Sequence, residues 1–159
     1  MTQRANYMKQ SPDLLKKFVE FSNLLHQSSI EQKTANLVAI RASQLNGCAF
    51  CVDMHVKEAR IHGERELRLH HLAVWAESPL FDLRERAALA WAETLTKLPH
   101  DGVSDELYER VRTQLSDKEV SDLTFLVMSI NGWNRASIAF KSTPGAFDKA
   151  YGLEKANLS

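Results

Sequence analysis

Residues 41–55 read RASQLNGCAFCVDMH. The stretch holds both cysteines of the chain, Cys48 and Cys51, and places His55 one helical turn beyond the second. In a helix, residues three or four apart share a face. A Cys-x-x-Cys-x-x-x-His at a helix start therefore gathers a dithiol and a base in one place, which points to thiol redox chemistry. Before it, Leu37, Val38, Ile40, Arg41 and Leu45 follow a Ser29/Gln32 capping-box pattern, and Gly47 stands where a C-terminal cap is expected. After it, Val52, His55, Val56, Ala59 and His62 lie near one stripe until Gly63 stops the helix.

Outward from this stretch the periodicity stays helical. Ser11-Pro12-Asp13 leads into Leu14, Leu15, Phe18, Phe21, Leu24 and Leu25, predicting a helix from about Pro12 to His26. A further helix, from about Glu64 to Trp75, breaks at Ser78-Pro79. Asp82 with Glu85 caps one that runs through Ala87, Ala90, Trp91 and Leu95 to Pro99, and Ser104 opens a short one through Leu107 and Val111. Ser116-Asp117-Lys118-Glu119 is a full capping box ahead of a long helix, Asp117 to Phe140, which Pro144-Gly145 ends. No two-residue alternation is sustained, no Gly-rich phosphate loop follows a strand, and no linker interrupts the chain. The expected fold is all-α, a single-domain helical bundle of about seven helices over residues 1–159.

Composition narrows the function classes. A chain of 159 residues buries roughly 70% of its unfolded surface and needs no disulfide staple, so the two cysteines are available for chemistry. Lys and Arg number 20 against 20 Asp and Glu, with no basic stripe for a phosphate backbone, so nucleic acid is not an expected partner. The first ten residues hold no apolar signal-like run, and Leu72–Ala76 and Ala87–Ala92 are too short to span a bilayer. A cytoplasmic protein without membrane partners is expected. In that reducing compartment a close cysteine pair serves catalysis, redox sensing or metal binding more often than structure.

RASQLNGCAFCVDMH resembles the alkylhydroperoxidase D-like family, part of the wider carboxymuconolactone decarboxylase superfamily. Glu85-Arg86-Ala87-Ala88-Leu89-Ala90-Trp91-Ala92-Glu93 and Asn131-Gly132-Trp133-Asn134-Arg135 extend the resemblance over roughly residues 30 to 140. It implies an all-helical subunit, assembly into trimers or hexamers, and reduction of hydroperoxides by the dithiol. It also implies peroxidatic Cys51, resolving Cys48 and relay His55. The family's usual relay glutamate, twelve residues before the first cysteine, is Asn36 here, and Phe50 stands where some members have histidine. A neutral amide hydrogen-bonds but takes no proton. From helical geometry Glu93 is the better replacement, because it flanks the stripe of Leu83, Ala87, Ala90 and Thr94, whereas Glu85 points away.

The chemistry follows from the residues as well. A thiolate attacks the peroxide oxygen, and a helix N-terminus and a nearby imidazolium both favour that charge. At pH 7.4 a thiol of pKa about 8.5 is roughly 7% ionised. Lowering that pKa by about two units raises ionisation some twelvefold but lowers nucleophilicity about eightfold, a net gain under about twofold. His55 therefore matters more as a proton donor to the departing oxygen than as a pKa depressant. Attack leaves Cys51 a sulfenic acid, Cys48 condenses with it, and an external thiol reductant protein must reopen the disulfide. Neither cofactor nor metal is required.

Other readings of the same residues stand beside this one. Zinc would need a fourth ligand, with His62 a candidate, and two small buried cysteines are a plain packing alternative. The dithiol could serve a disulfide carrier rather than a peroxidase. A lactone decarboxylase-like enzyme or a helical assembly module would not need it at all. Trp75, Trp91 and Trp133 are expected as core or interface anchors, and Asn131, Asn134 and Arg135 as a helix junction or subunit contact.

Overall fold

The computed structural model describes residues 4–158. In chain order the helices are α1 (Tyr7–Gln10), α2 (Pro12–Leu24), α3 (Gln32–Asn46), α4 (Ala49–Ile61), α5 (Glu66–His71), α6 (Leu83–Lys97), α7 (Asp105–Arg112), α8 (Asp117–Phe140) and α9 (Asp148–Tyr151). Short 3-10 turns follow α2 (Leu25–Gln27), α5 (Leu72–Val74) and α9 (Leu153–Ala156). No strand occurs among the described residues. The all-α single-domain expectation holds, with the single-turn α1 and α9 added to the seven longer helices.

The bundle is organised around α3. Leu37, Val38, Ala39, Ile40, Ala42 and Ser43 are all buried, so this helix is covered on nearly every side, by α4, α6 and α8. It divides two apolar clusters. One joins Val38 to Ala88, Trp91, Ala92, Val111, Leu115, Leu123 and Val127 of α6 to α8; the other joins Leu37 and Ile40 to Ala59, Leu72, Phe81 and Leu89. Truncating a fully buried leucine such as Leu37 to alanine costs about 2–5 kcal/mol, so α3 cannot shift without loosening both clusters.

Most helix ends follow the expected chemistry, though Ser11 stands at the N-cap of α2 without a side-chain cap bond. Capping boxes open α6 (Asp82/Glu85) and α8 (Ser116/Glu119), and Ser104 caps α7. The Ser29/Gln32 box does not form. Glu31 is the N-cap of α3 without a side-chain bond, and the Ser29 N–H and hydroxyl instead donate to Asp122 of α8, at 2.7 and 2.8 Å. A charged acceptor from another helix outcompetes the local pattern.

Glu85, on the side of α6 away from the stripe of Leu83, Ala87, Ala90 and Thr94, is nevertheless buried. It is 4% exposed, because the N3 position turns its carboxylate back onto the Asp82 N–H, where it meets Arg68 Nη2 at 2.5 Å. Arg68 binds Glu64 as well, through Nε at 2.8 Å, and its guanidinium lies 4.8 Å over the Phe81 ring. Both carboxylates are thus paired in the interior.

Two outer segments complete the fold. α2 docks on α8 through Phe18, whose ring sits against Trp133 and over Gly132, where an added Cβ would lie 2.6 Å from the ring. The 142–158 segment folds back along α4. Lys57 bonds Asp53 and Asp148 at 2.9 and 2.7 Å, Phe147 meets the Phe50 ring edge-on, and Leu153 is buried. The periodicity of the sequence carries no signal for this packing.

Glu119 provides a stability test. The Arg84 hydrogen bond first, then the Ser116 backbone and hydroxyl, hold its carboxyl down to about 2 against an ordinary 4.5. A folded value below the unfolded one stabilises the fold fully above the unfolded value, and the contribution is lost as pH falls toward about 2. With the side chain 18% exposed, the contribution is at most about 3 kcal/mol. Glu119→Gln should lower unfolding free energy by about 1–3 kcal/mol at pH 7 and by less at pH 3.5, measured by urea unfolding. An equal loss at both pH values would contradict the electrostatic origin.

Candidate active site

The dithiol owes its place to one backbone turn. Gly47 adopts φ 69°, ending α3, while its N–H bonds the Gln44 carbonyl and the Cys48 N–H bonds the Ser43 carbonyl at 3.0 Å. This is a Schellman arrangement, in which the glycine supplies the left-handed residue. Cys48 then serves a second helix: it is the N-cap of α4, its Sγ accepting the Cys51 N–H at 3.3 Å. The two sulfur atoms are bonded as a disulfide, with Cα atoms 5.4 Å apart, and both residues are 1% exposed. They sit in the first turn of α4, where the helix dipole favours a thiolate once the pair is reduced.

Below them, one face of α4 carries Cys51, His55 and Glu58, and His62 follows as its C-cap. The His55 ring is largely buried, and its Nδ1 lies 2.7 Å from Glu58 Oε2. Burial opposes the charge on Glu58, but the His55 hydrogen bond and the charges of His55, His62 and His26 outweigh it and lower the carboxyl from its ordinary value.

Asn36 is buried on α3. Its Oδ1 accepts from Gln32 Nε2 at 2.8 Å, which turns Nδ2 to donate to His62 Nδ1 at 3.0 Å. The residue at the usual relay position therefore serves His62, and the imidazole above it has a carboxylate from its own helix. Among the described residues no group of three or more His, Cys, Asp or Glu is arranged to hold a metal ion.

Cys48, Cys51 and His55 follow one another along the start of α4, whereas Glu93 of α6 is engaged by other partners. Glu93 Oε1 accepts from Arg41 Nε at 2.6 Å and from Trp75 Nε1 at 2.7 Å. Burial raises its pKa, yet the Trp75 and Arg41 bonds, with the Arg41 and Lys97 charges, hold it below the ordinary value. Two donors capture it because Trp75 and Arg41 converge from separate helical segments, a convergence that helical geometry on α6 alone does not show. Sequence reasoning overlooked Glu58, although its spacing of three from His55 and seven from Cys51 was the available signal.

A part-buried amide network fixes the C-terminal end of α3 against α8. Asn46 Nδ2 donates to Asn134 Oδ1 at 2.8 Å and Asn131 Oδ1 at 3.1 Å. Asn134 Nδ2 donates to Ser43 Oγ at 3.0 Å, and Arg135 Nη1 to Asn131 Oδ1 at 3.0 Å. The Asn131, Asn134 and Arg135 cluster is thus a helix junction that holds the turn before Cys48.

An all-α fold with a cysteine pair at a helix N-terminus and an imidazole one turn below defines a helical dithiol protein. The chain belongs to the carboxymuconolactone decarboxylase family, which it matches over residues 12–94, within the superfamily that includes the alkylhydroperoxidase D-like proteins. It is 42% identical over 139 residues to the uncharacterized protein YdfG of Bacillus subtilis (strain 168), covering 87% of this chain and 95% of that one. Its fold matches the crystal structure of an Agrobacterium tumefaciens protein of unknown function, whose description links it to the antioxidant defence protein AhpD, with TM-score 0.87 and 39% identity over 91% of this chain and 99% of that one. The debrominase Bmp8 shares the fold, with TM-score 0.78 and 20% identity over 94% of this chain and 80% of that one. Fold alone does not fix an activity, so function is argued from the site.

The site predicts a reversible internal disulfide. After mild oxidation, mass spectrometry of the intact chain should show the loss of two hydrogens with Cys48 and Cys51 in one cross-linked peptide, restored by dithiothreitol. Predominantly intermolecular or mixed disulfides would rule out the resolving role of Cys48.

Proposed function

We propose that the chain is a dithiol peroxidase that reduces hydroperoxides through Cys51 and Cys48, with His55 handling the proton. The observation that carries this reading is the bonded Cys48–Cys51 pair at the start of α4, one turn from His55. The reduced Cys51 thiolate attacks the terminal peroxide oxygen, the O–O bond breaks, and the alkoxide leaves as an alcohol with a proton from His55. Cys48 then displaces water from the Cys51 sulfenic acid to form the disulfide. A protein dithiol returns two electrons and two protons to reopen it. In this reading Glu93 holds Arg41 and Trp75 and is not a proton carrier. Family membership supports an enzyme of this type, and an intracellular setting with a thiol reductant suits the cycle.

One equivalent of hydroperoxide should remove two free thiols per reduced chain, with the peroxide consumed. Cys51→Ser should abolish this, and His55→Ala should slow the single turnover by about two orders of magnitude. Unchanged thiol content in the reduced wild type would reject the peroxidase and favour a carrier of disulfides between proteins.

The reading includes a trimer or hexamer. Supporting it, α2 buries no residue within the chain, and Leu14, Leu24, Phe125 and Met128 leave apolar surface on α2 and α8 exposed. Light scattering at micromolar concentration in reducing buffer should give three or six times the 18.0 kDa of one chain; a monomer mass would refute the assembly.

A further inference from the structure

We propose that Glu58 is the positioning residue for His55, holding the ring with its proton on Nδ1 and leaving Nε2 as the nitrogen that exchanges protons with the dithiol. The proposal rests on the peroxidase reading for its catalytic consequence and on geometry for its structural one. The His55 Nδ1 to Glu58 Oε2 separation is 2.7 Å, and an ionised carboxylate only accepts, so Nδ1 is the donor. Helical side chains lean toward the N-terminus, so the ring at position 55 leans over the turn that carries Cys51, and Glu58 reaches back to it from the turn below.

The surroundings keep that carboxylate in place. Around it are His55 of α4, His62 at the C-cap of α4 and His26 from the 3-10 turn after α2, all of which favour its negative charge, while burial opposes it. From α3, Gln32 bonds Asn36, and Asn36 bonds His62. The amide on α3 thus occupies one histidine and leaves the other to Glu58.

The proton path balances. The Cys51 thiol proton passes to Nε2, the ring becomes an imidazolium, and Glu58 offsets its charge without accepting the proton. The sulfur bonds the terminal oxygen of the hydroperoxide, the O–O bond breaks, and the departing alkoxide takes the proton back from Nε2. Sulfur loses two electrons and the O–O bond gains them. Glu58 remains a carboxylate throughout.

The test uses the full chain as Glu58→Gln, Glu58→Asp and His55→Ala, reduced with dithiothreitol and freed of it. Ring ¹⁵N shifts of His55 should show the Nδ1–H form in the wild type. In Glu58→Gln, whose amide can donate to Nδ1, the Nε2–H form should gain population. Single-turnover thiol oxidation should fall about ten- to a hundredfold in Glu58→Gln and recover in part in Glu58→Asp. If His55→Ala slows turnover but Glu58→Gln keeps both the Nδ1–H form and a rate within about twofold of wild type, Glu58 has no positioning role. A wild type that consumes no hydroperoxide instead overturns the peroxidase reading, while the tautomer comparison still decides whether Glu58 orients the ring.

Discussion

Gly47 and Cys48 share one turn between two helices, and the site depends on it. The Cys48 N–H closes the end of α3 by bonding Ser43, while its side chain opens α4 by accepting from Cys51. The same residue therefore cannot move without disturbing the α3 terminus, the α4 terminus or both. The positive φ at Gly47 is what allows the reversal, and any residue with a Cβ is strained there. Buried Asn134 of α8 braces the turn by bonding Asn46 and Ser43 of α3.

That bracing is polar where an apolar contact would have served packing alone. Unpaired amides in the interior are costly, so each must find its partner and the arrangement admits few alternatives. The Glu64–Arg68–Glu85 group applies the same constraint to the other side of the bundle, tying α5 to the start of α6. Between these two networks α3 is held in register, and with it the dithiol. The stripe on α4 then places a sulfur, an imidazole and a carboxylate at successive turns.

Local signals made much of this legible. Ser116 and Glu119 mark the start of α8, Gly47 the end of α3, and the Cys-x-x-Cys-x-x-x-His spacing the face of α4 that Cys51 and His55 share. Signals failed where a distant group outbid a near one. Ser29 looked like a cap until Asp122 of α8 took its N–H and hydroxyl. Glu93 was chosen for its place on α6, but Trp75 and Arg41, arriving from other segments, engage it. The burial of Glu85 rests on Arg68, seventeen residues away in sequence, and helical periodicity carries no sign of that pairing. The fold of residues 142–158 along α4 rests on ion pairs and aromatic contacts between segments about ninety residues apart, which periodicity does not encode.

The central claim is a division of labour between two cysteines, Cys51 attacking and Cys48 resolving, and trapping the intermediate tests it most directly. Reduced Cys48→Ser treated with one equivalent of hydroperoxide in the presence of dimedone should carry the adduct on Cys51, because the sulfenic acid has no partner to condense with. The reduced Cys51→Ser variant should remain unlabelled. A dimedone adduct on Cys48 in Cys51→Ser, with none on Cys51 in Cys48→Ser, would contradict the account.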